Sequence, residues 1–136
     1  MEQFNGNVVF EGILQCAKTC LENDIPVGLG TDTGCPYITH YDMWRELYYY
    51  HKFCGVSNTY ALYTATCLNA QLAGLGTVTG TIAPGYQADF VVTSENPLKD
   101  LKALRNISMV VTRGNVIHGS HVKKMPEVEQ ELDKFL

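Results

Sequence analysis

The stretch "PVGLGTDTGCPYITHYDMWREL", residues 26–47, decides the fold prediction for this chain. Residues 27–31 form the unbroken run of apolar and small residues that is typical of a strand buried on both faces of a parallel sheet. Pro26 suits the start of such a strand, because proline has no N–H to donate inside a sheet. Asp32 follows at the carboxyl end of the strand, where α/β folds place their chemistry. Its position alone leaves two interpretations open, a catalytic carboxylate or a cap for the following turn.

The composition limits the class of protein. The chain has 136 residues, of which 46% are hydrophobic and 18% are charged, as expected for a folded domain. A net charge of −4, without a cluster of Lys and Arg, argues against nucleic acid as a partner. We find neither an apolar run that could span a bilayer nor the pattern of a signal peptide. The sequence therefore predicts no membrane partner and a cytoplasmic location.

The cysteines indicate free thiols rather than a disulfide framework. They are five in number, at positions 16, 20, 35, 54 and 67, and they form no C-x-x-C pair. Cys16 and Cys20 are one helical turn apart, which predicts two buried positions on one helix face. Cys35 either packs as a buried apolar residue, which the usual burial of free cysteine favours, or lines a pocket after Asp32.

Three helices are predicted in the first half of the chain, over residues 7–22, 39–54 and 57–73. Thr39 and Asp42 have the spacing of a capping box at the start of the second helix. The apolar spacing predicts inward-facing stripes on the first two helices. These stripes consist of Val9, Ile13, Cys16 and Cys20 in the first helix, and of Met43, Leu47, Tyr50 and Cys54 in the second.

The second half of the chain has β character. A strand is predicted over residues 88–93, and a short helix over residues 98–104. The Gly114-Asn115 pair, between two apolar runs, predicts a tight hairpin turn. A terminal helix is predicted over residues 126–135. Its inward-facing residues are Val128, Leu132 and Phe135.

Four motifs in a fixed order resemble the C-terminal part of the metal-dependent amidohydrolases, in particular the imidazolonepropionase and Xaa-Pro or Xaa-Arg dipeptidase branch. The motifs are "VGLGTD", "SNTYALYTATCLNAQLAGL", "GTIAPGYQADFVVTSENPLKD" and "VVTRGNVI". The resemblance implies an α/β fold, the C-terminal segment of a (β/α)8 metallo-hydrolase barrel with its last strand and helices, plus part of the accompanying small β-sandwich. Residues 1–75 would belong to the barrel, residues 76–122 to the sandwich, and residues 123–136 to a C-terminal helix.

The same resemblance implies roles for individual residues. Asp32 would bind a divalent metal, with zinc favoured, and would also accept a proton from the attacking water. His40, in the loop that would cover the active site, is either a substrate contact or, as loop histidines commonly are, a polar surface residue. Tyr37 is a second candidate for a substrate contact. Tyr41 and Trp44 are further candidates for the lining of that pocket.

The remaining ligands of the family have no counterpart in this chain. They are a His-x-His on the first barrel strand, a lysine on the fourth, and histidines on the fifth and sixth. The histidines present, at positions 40, 51, 118 and 121, lack metal-ligand spacing, and His118 and His121 are predicted to be exposed. We therefore expect the chain to be a piece of a longer enzyme, inactive alone and without a cofactor of its own.

Two functions from different classes follow. The first is hydrolysis of a C–N bond in a small-molecule substrate, such as a cyclic amide, an imidazolone-type compound or a dipeptide. The alternative is a non-catalytic, self-folding module that binds a partner through its barrel-facing apolar surface. In either case the uncovered helix stripes and residues 27–31 predict a homo-oligomer.

Overall fold

The computed structural model of the chain describes residues 6–119 and 122–136, and it combines helices with a small antiparallel sheet. His121 therefore lies outside the described residues. The helical half contains α1 (Gly6–Glu22), α2 (Met43–Cys54), α3 (Asn58–Tyr63), a π-helical segment (Thr64–Leu68) and α4 (Asn69–Leu72). The second half contains β1 (Phe90–Thr93), a 3-10 helix (Leu101–Arg105), β2 (Ile107–Thr112), β3 (Asn115–His118) and α5 (Pro126–Asp133). Within these described ranges, no helix is long and apolar enough to cross a membrane.

The helix ends follow local chemistry. Ser57 caps α3, because its hydroxyl accepts a hydrogen bond from the backbone N–H of Tyr60 at 3.1 Å. Gly55 ends α2 in the left-handed conformation, with a φ of 76°. The predicted capping box is wrong, since the Thr39 hydroxyl donates to the Asp42 carboxylate at 2.6 Å and neither side chain caps the helix. The second helix therefore begins at Met43, later than predicted.

The hydrophobic core lies where α2, α3 and the 3-10 helix meet. Leu47, Tyr50, Ala61 and Leu101 are buried against one another there. The burial of Leu47 and Tyr50 confirms the centre of the stripe predicted for α2. Burial raises the pKa of the Tyr50 phenol to about 12, with smaller contributions from Tyr60 and Cys54. This tyrosine therefore stays protonated as a core residue.

Helix α1 packs differently from its predicted stripe. Ile13 is 62% exposed and Cys16 is also exposed, so the predicted burial of this face is wrong. The helix instead contacts the core through Leu21 and meets α2 through an edge-on contact between Phe10 and Phe53, with ring centroids 5.4 Å apart. An apolar face of α1 consequently remains uncovered by the described residues.

Residues 27–31 are not a strand in this structure, contrary to the prediction. Val27 and Leu29 are half-buried against the core, whereas Gly28 and Gly30 are exposed. The segment is thus covered on one side only. A β-strand is defined by its backbone hydrogen bonds to a neighbouring strand, and this segment pairs with no strand of the described residues.

The sheet has the order β1-β2-β3, with both pairs antiparallel. The β2–β3 turn is formed by Arg113 and Gly114, whose φ angles of 50° and 78° are both positive. This is the backbone that a two-residue hairpin turn requires. The turn lies one residue earlier than the predicted Gly114-Asn115 pair, because Asn115 already pairs with Thr112.

A buried ion network attaches α5 to the rest of the chain. Arg45 Nη2 lies 2.7 Å from Asp133 Oδ1 and 3.3 Å from Glu129 Oε2, and Arg105 Nη2 lies 2.9 Å from the same Glu129 oxygen. Burial alone would raise the pKa of Asp133, but the hydrogen bonds and charges of the two arginines outweigh it and hold that pKa below its usual range. The predicted inward position of Phe135 is wrong, since its side chain is 57% exposed.

Candidate functional site

Asp32 stands at the end of the extended segment, in a tight loop. Its backbone has a positive φ of 51°, a conformation that aspartate tolerates better than most residues. The Cys35 thiol donates to Asp32 Oδ2 at 3.7 Å, and the hydroxyls of Thr31 and Thr33 lie 2.6 Å apart beside it. The residue is exposed, so its carboxylate is accessible to a ligand that approaches from outside the chain.

The segment that leads to Asp32 is held by a side chain that sequence reasoning missed. Asn69, at the start of α4, binds both the backbone N–H and the backbone carbonyl of Leu29. An asparagine in a helix gives no sequence signal of a contact with a segment 40 positions earlier in the chain. The structure therefore adds Asn69 to the surroundings of Asp32.

A cleft of about 480 Å³ opens between the loop after Asp32 and the segment that leads into α5. Tyr37 and His40, two of the predicted site residues, lie in its lining together with Tyr41 and Lys123. The Tyr41 hydroxyl accepts a hydrogen bond from the backbone N–H of Met125 at 2.8 Å, which ties the two walls together. The structure thus brings the predicted substrate contacts into one cleft.

Three further residues differ from prediction around this cleft. Asp32 is not among the lining residues, although Cys35 connects it to the cleft wall. Cys35 is exposed and lines the cleft, so its favoured burial is wrong and the pocket position is correct. Trp44 is buried instead, with its indole N–H bonded to Asp42 and the guanidinium of Arg45 stacked 4.5 Å from its ring.

Lys123 is the charged side chain in the described lining of the cleft. His40 also lines the cleft, and no carboxylate is found among the described residues that line it. The rings of His40 and Tyr41 meet edge-on, with centroids 5.2 Å apart. A ligand that combines a negative group with an apolar body fits this lining.

The donor side chains of the described residues do not cluster into a metal site. Across the described parts of the chain, no three His, Cys, Asp or Glu side chains come together as a metal site would require. His51 Nδ1 makes a local hydrogen bond with the backbone carbonyl of Val56, at 2.6 Å. His118 is exposed on β3. Asp32 fits the role of a single ligand, but the described residues do not form a metal site by themselves.

Comparison with known proteins gives the family. The amidohydrolase family model matches residues 11–117, which is most of the chain. The chain belongs to the amidohydrolase family. This result confirms the resemblance inferred from the four motifs. No curated protein matches this amidohydrolase chain.

Solved structures of several amidohydrolase-like enzymes share the fold. A candidate prolidase from Bifidobacterium longum is 33% identical, with a TM-score of 0.86 over 89% of this chain. An Xaa-Pro dipeptidase with bound methionine in its active site is 27% identical over 79%, with a TM-score of 0.72. An ochratoxinase from A. niger is 27% identical over 81%, with a TM-score of 0.65. The predicted fold class, a segment of the amidohydrolase barrel with helices and sheet, is thereby confirmed, and two of these neighbours carry the names of the predicted dipeptidase-like branch.

The amidohydrolase chain spans less than a third of the length of these proteins. It covers 30% of the Bifidobacterium longum chain and 26% of each of the other two. The chain thus corresponds to one segment of each of these structures.

Proposed function

We propose that this chain is the part of a metal-dependent hydrolase that carries Asp32, and that the full-length enzyme cleaves a C–N bond in a dipeptide-like substrate. The observation that carries the proposal is the accessible Asp32 carboxylate, which stands at the end of an extended segment within the family-matched residues. The printed names of two structural neighbours, a candidate prolidase and an Xaa-Pro dipeptidase, support a peptide-like substrate. Cyclic amides and imidazolone-type compounds are the other substrate classes to compare.

In the proposed mechanism, Asp32 moves a proton. A divalent metal, for which we propose zinc, lowers the pKa of water into the neutral range when it is bound. The Asp32 carboxylate would be one ligand of that metal; it would also accept the proton of the attacking water and later return it to the leaving nitrogen. Tyr37 and His40 hold the substrate in the cleft beside it, where the charge of Lys123 suits a substrate carboxylate.

The domain boundaries are part of the same proposal. We assign residues 1–75 to the barrel, residues 76–122 to the sandwich and residues 123–136 to the C-terminal helix. The position of β1, β2 and β3 within residues 76–122, after the helical half, supports the first boundary. The separate docking of α5 through Glu129 and Asp133 supports the second.

The purified 136-residue chain is expected to bind no stoichiometric catalytic metal and to show no hydrolase activity, because Asp32 supplies one ligand of the several needed. Elemental analysis after dialysis against zinc measures this directly. The Asp32→Asn chain is the matched control and should give the same metal content. A tightly held zinc that is lost in Asp32→Asn would contradict the expectation, since the missing ligands would then lie within the chain.

We further propose that the isolated chain forms a dimer or a higher oligomer through α1 and residues 27–31. The supporting observation is the exposed apolar surface of α1, where Val8 and Ile13 are 63% and 62% exposed. Ile13→Glu is expected to shift the chain toward monomer in light scattering at micromolar concentration. Gln15→Glu adds the same charge to α1 and should leave the oligomer intact. A wild-type monomer that binds no hydrophobic dye would contradict the proposal.

The same surface favours the alternative function, a non-catalytic module that binds a partner through its apolar face. Activity separates the two. A full-length protein that hydrolyses proline dipeptides and loses this activity in Asp32→Asn supports the enzyme. A full-length protein that hydrolyses no dipeptide, cyclic amide or imidazolone with zinc present supports the module.

A further inference from the structure

The side-chain carboxamide of Asn69 makes two hydrogen bonds with the backbone of Leu29, and we call this pair of bonds the clasp. The Leu29 N–H donates to Asn69 Oδ1 at 3.0 Å, and Asn69 Nδ2 donates to the Leu29 carbonyl at 2.8 Å. In an extended chain both polar groups of one residue point to the same side. One carboxamide therefore binds the two groups that a neighbouring strand would otherwise bind at this residue.

We propose that Asn69 is a positioning residue for Asp32. This inference rests on the proposed function of Asp32. The clasp fixes the backbone shortly before the carboxylate. Gly30 lies between Leu29 and Asp32, and glycine adopts many backbone conformations when nothing restrains it. Reactive groups need positions held to within about 0.5 Å, so a flexible approach to Asp32 would be costly to the reaction. Asn69 supplies the restraint from the neighbouring helix.

Gly28 allows the helix to approach closely enough for the clasp. A Cβ atom at this position would lie 3.0 Å from Asn69 Oδ1 and 3.1 Å from Leu72 Cδ1. Both distances are shorter than an ordinary carbon contact. A side chain at position 28 would require the Asn69 carboxamide and the end of the Leu72 side chain to shift by a few tenths of an ångström.

The helix geometry directs Asn69 toward the segment. The π-helical stretch Thr64–Leu68 ends directly before Asn69. One additional residue in a helical turn rotates everything after it by about 100° relative to a regular α-helix. The hydroxyl of Thr66 donates to the carbonyl of Leu62 at 2.7 Å, a bond that competes with the regular helix ladder at this point. The π turn thus sets the face on which Asn69 lies.

The test uses Asn69→Leu and Asn69→Asp in the full-length protein with zinc and a proline dipeptide. Asn69→Leu removes both hydrogen bonds, so the Leu29 amide should exchange with solvent at least about tenfold faster. In the same variant kcat should fall at least about tenfold, whereas KM should stay within about threefold, because the substrate cleft is untouched. Asn69→Asp keeps an acceptor for the Leu29 N–H and should retain more amide protection than Asn69→Leu.

Asn58→Leu and Asn58→Asp are the matched controls. Asn58 lies at the start of α3 and donates to the carbonyls of Leu98 and Lys99, away from Asp32. These controls should leave both kcat and Leu29 exchange unchanged. Where Asn69→Leu does not fold, the isosteric Asn69→Asp provides the comparison.

The outcomes separate this proposal from the proposed function. An active wild type whose Asn69 variants match the Asn58 controls in kcat overturns the positioning role. A wild type without hydrolase activity overturns the proposed function, and amide exchange at Leu29 and Asp32 then decides the clasp alone. Faster exchange at both amides in Asn69→Leu supports it, and unchanged exchange overturns it.

Discussion

Asp32→Asn is expected to lower the turnover of the full-length enzyme by at least about a hundredfold. The amide has nearly the same shape as the carboxylate, but it cannot accept the proton of the attacking water. The residue is exposed, and the thiol of Cys35 lies 3.7 Å from its carboxylate. The substitution should therefore leave folding intact. Steady-state kinetics with a proline dipeptide, together with circular dichroism, measures both effects.

Asp24→Asn is the matched control for this change. Asp24 is also an exposed aspartate with a positive φ, 55°, shortly after α1. The two substitutions thus alter the same chemical group on the same kind of backbone, at positions inside and outside the proposed site. Near-normal turnover in a folded Asp32→Asn enzyme would refute the assignment of Asp32, whatever the control shows.

Arg45→Met is expected to lower the free energy of unfolding of the chain by about 3–5 kcal/mol. Arg45 is 2% exposed, and its charge is shared between Asp42, Glu129 and Asp133. Methionine fills similar space but leaves Asp42 and Glu129 as buried carboxylates without this partner. Urea denaturation at pH 7, followed by circular dichroism, measures the difference from wild type.

Lys134→Met serves as the control, because Lys134 and Glu131 form an exposed ion pair at 2.6 Å whose loss should cost less than about 1 kcal/mol.

The effect of Arg45→Met on stability is also expected to depend on pH. The pKa of Asp133 is lowered in the folded chain. Its contribution to the free energy of unfolding is therefore present above the unfolded pKa of about 3.9 and is lost as the pH falls through the folded pKa. The difference from wild type should shrink in acid. An Arg45→Met effect no larger than that of the control would contradict the network's role.

The sequence predicted those features that depend on neighbouring residues. The start of the third helix near residue 57, the end of the second helix near residue 54 and the hairpin turn near Gly114 all follow from chemistry within a few positions. The order of the family motifs likewise gave the amidohydrolase assignment, which the family match over residues 11–117 confirms. Each of these signals depends either on residues a few positions apart or on the order of motifs along the chain. The sequence contains all the information that such signals need.

Burial could not be predicted in the same way. The stripe on α1 has the correct helical spacing, yet Ile13 lies on the exposed side, because spacing defines a face without saying what covers it. Glu129 shows the reverse case. Its charge predicts exposure, but Arg45 and Arg105 make its burial favourable.

By itself, the sequence determined the family and the approximate positions of the helices, and it singled out Asp32 as the candidate carboxylate. The tertiary structure decided which distant residues meet, as in the contacts of Asn69 with Leu29 and of Arg45 with Asp133, which are 40 and 88 positions apart. It also decided that residues 27–31 are extended without being a strand. The physical reason is the same in each case. A hydrogen bond, an ion pair or a pair of strands needs two partners, and the residue at one position does not say which distant residue its partner is.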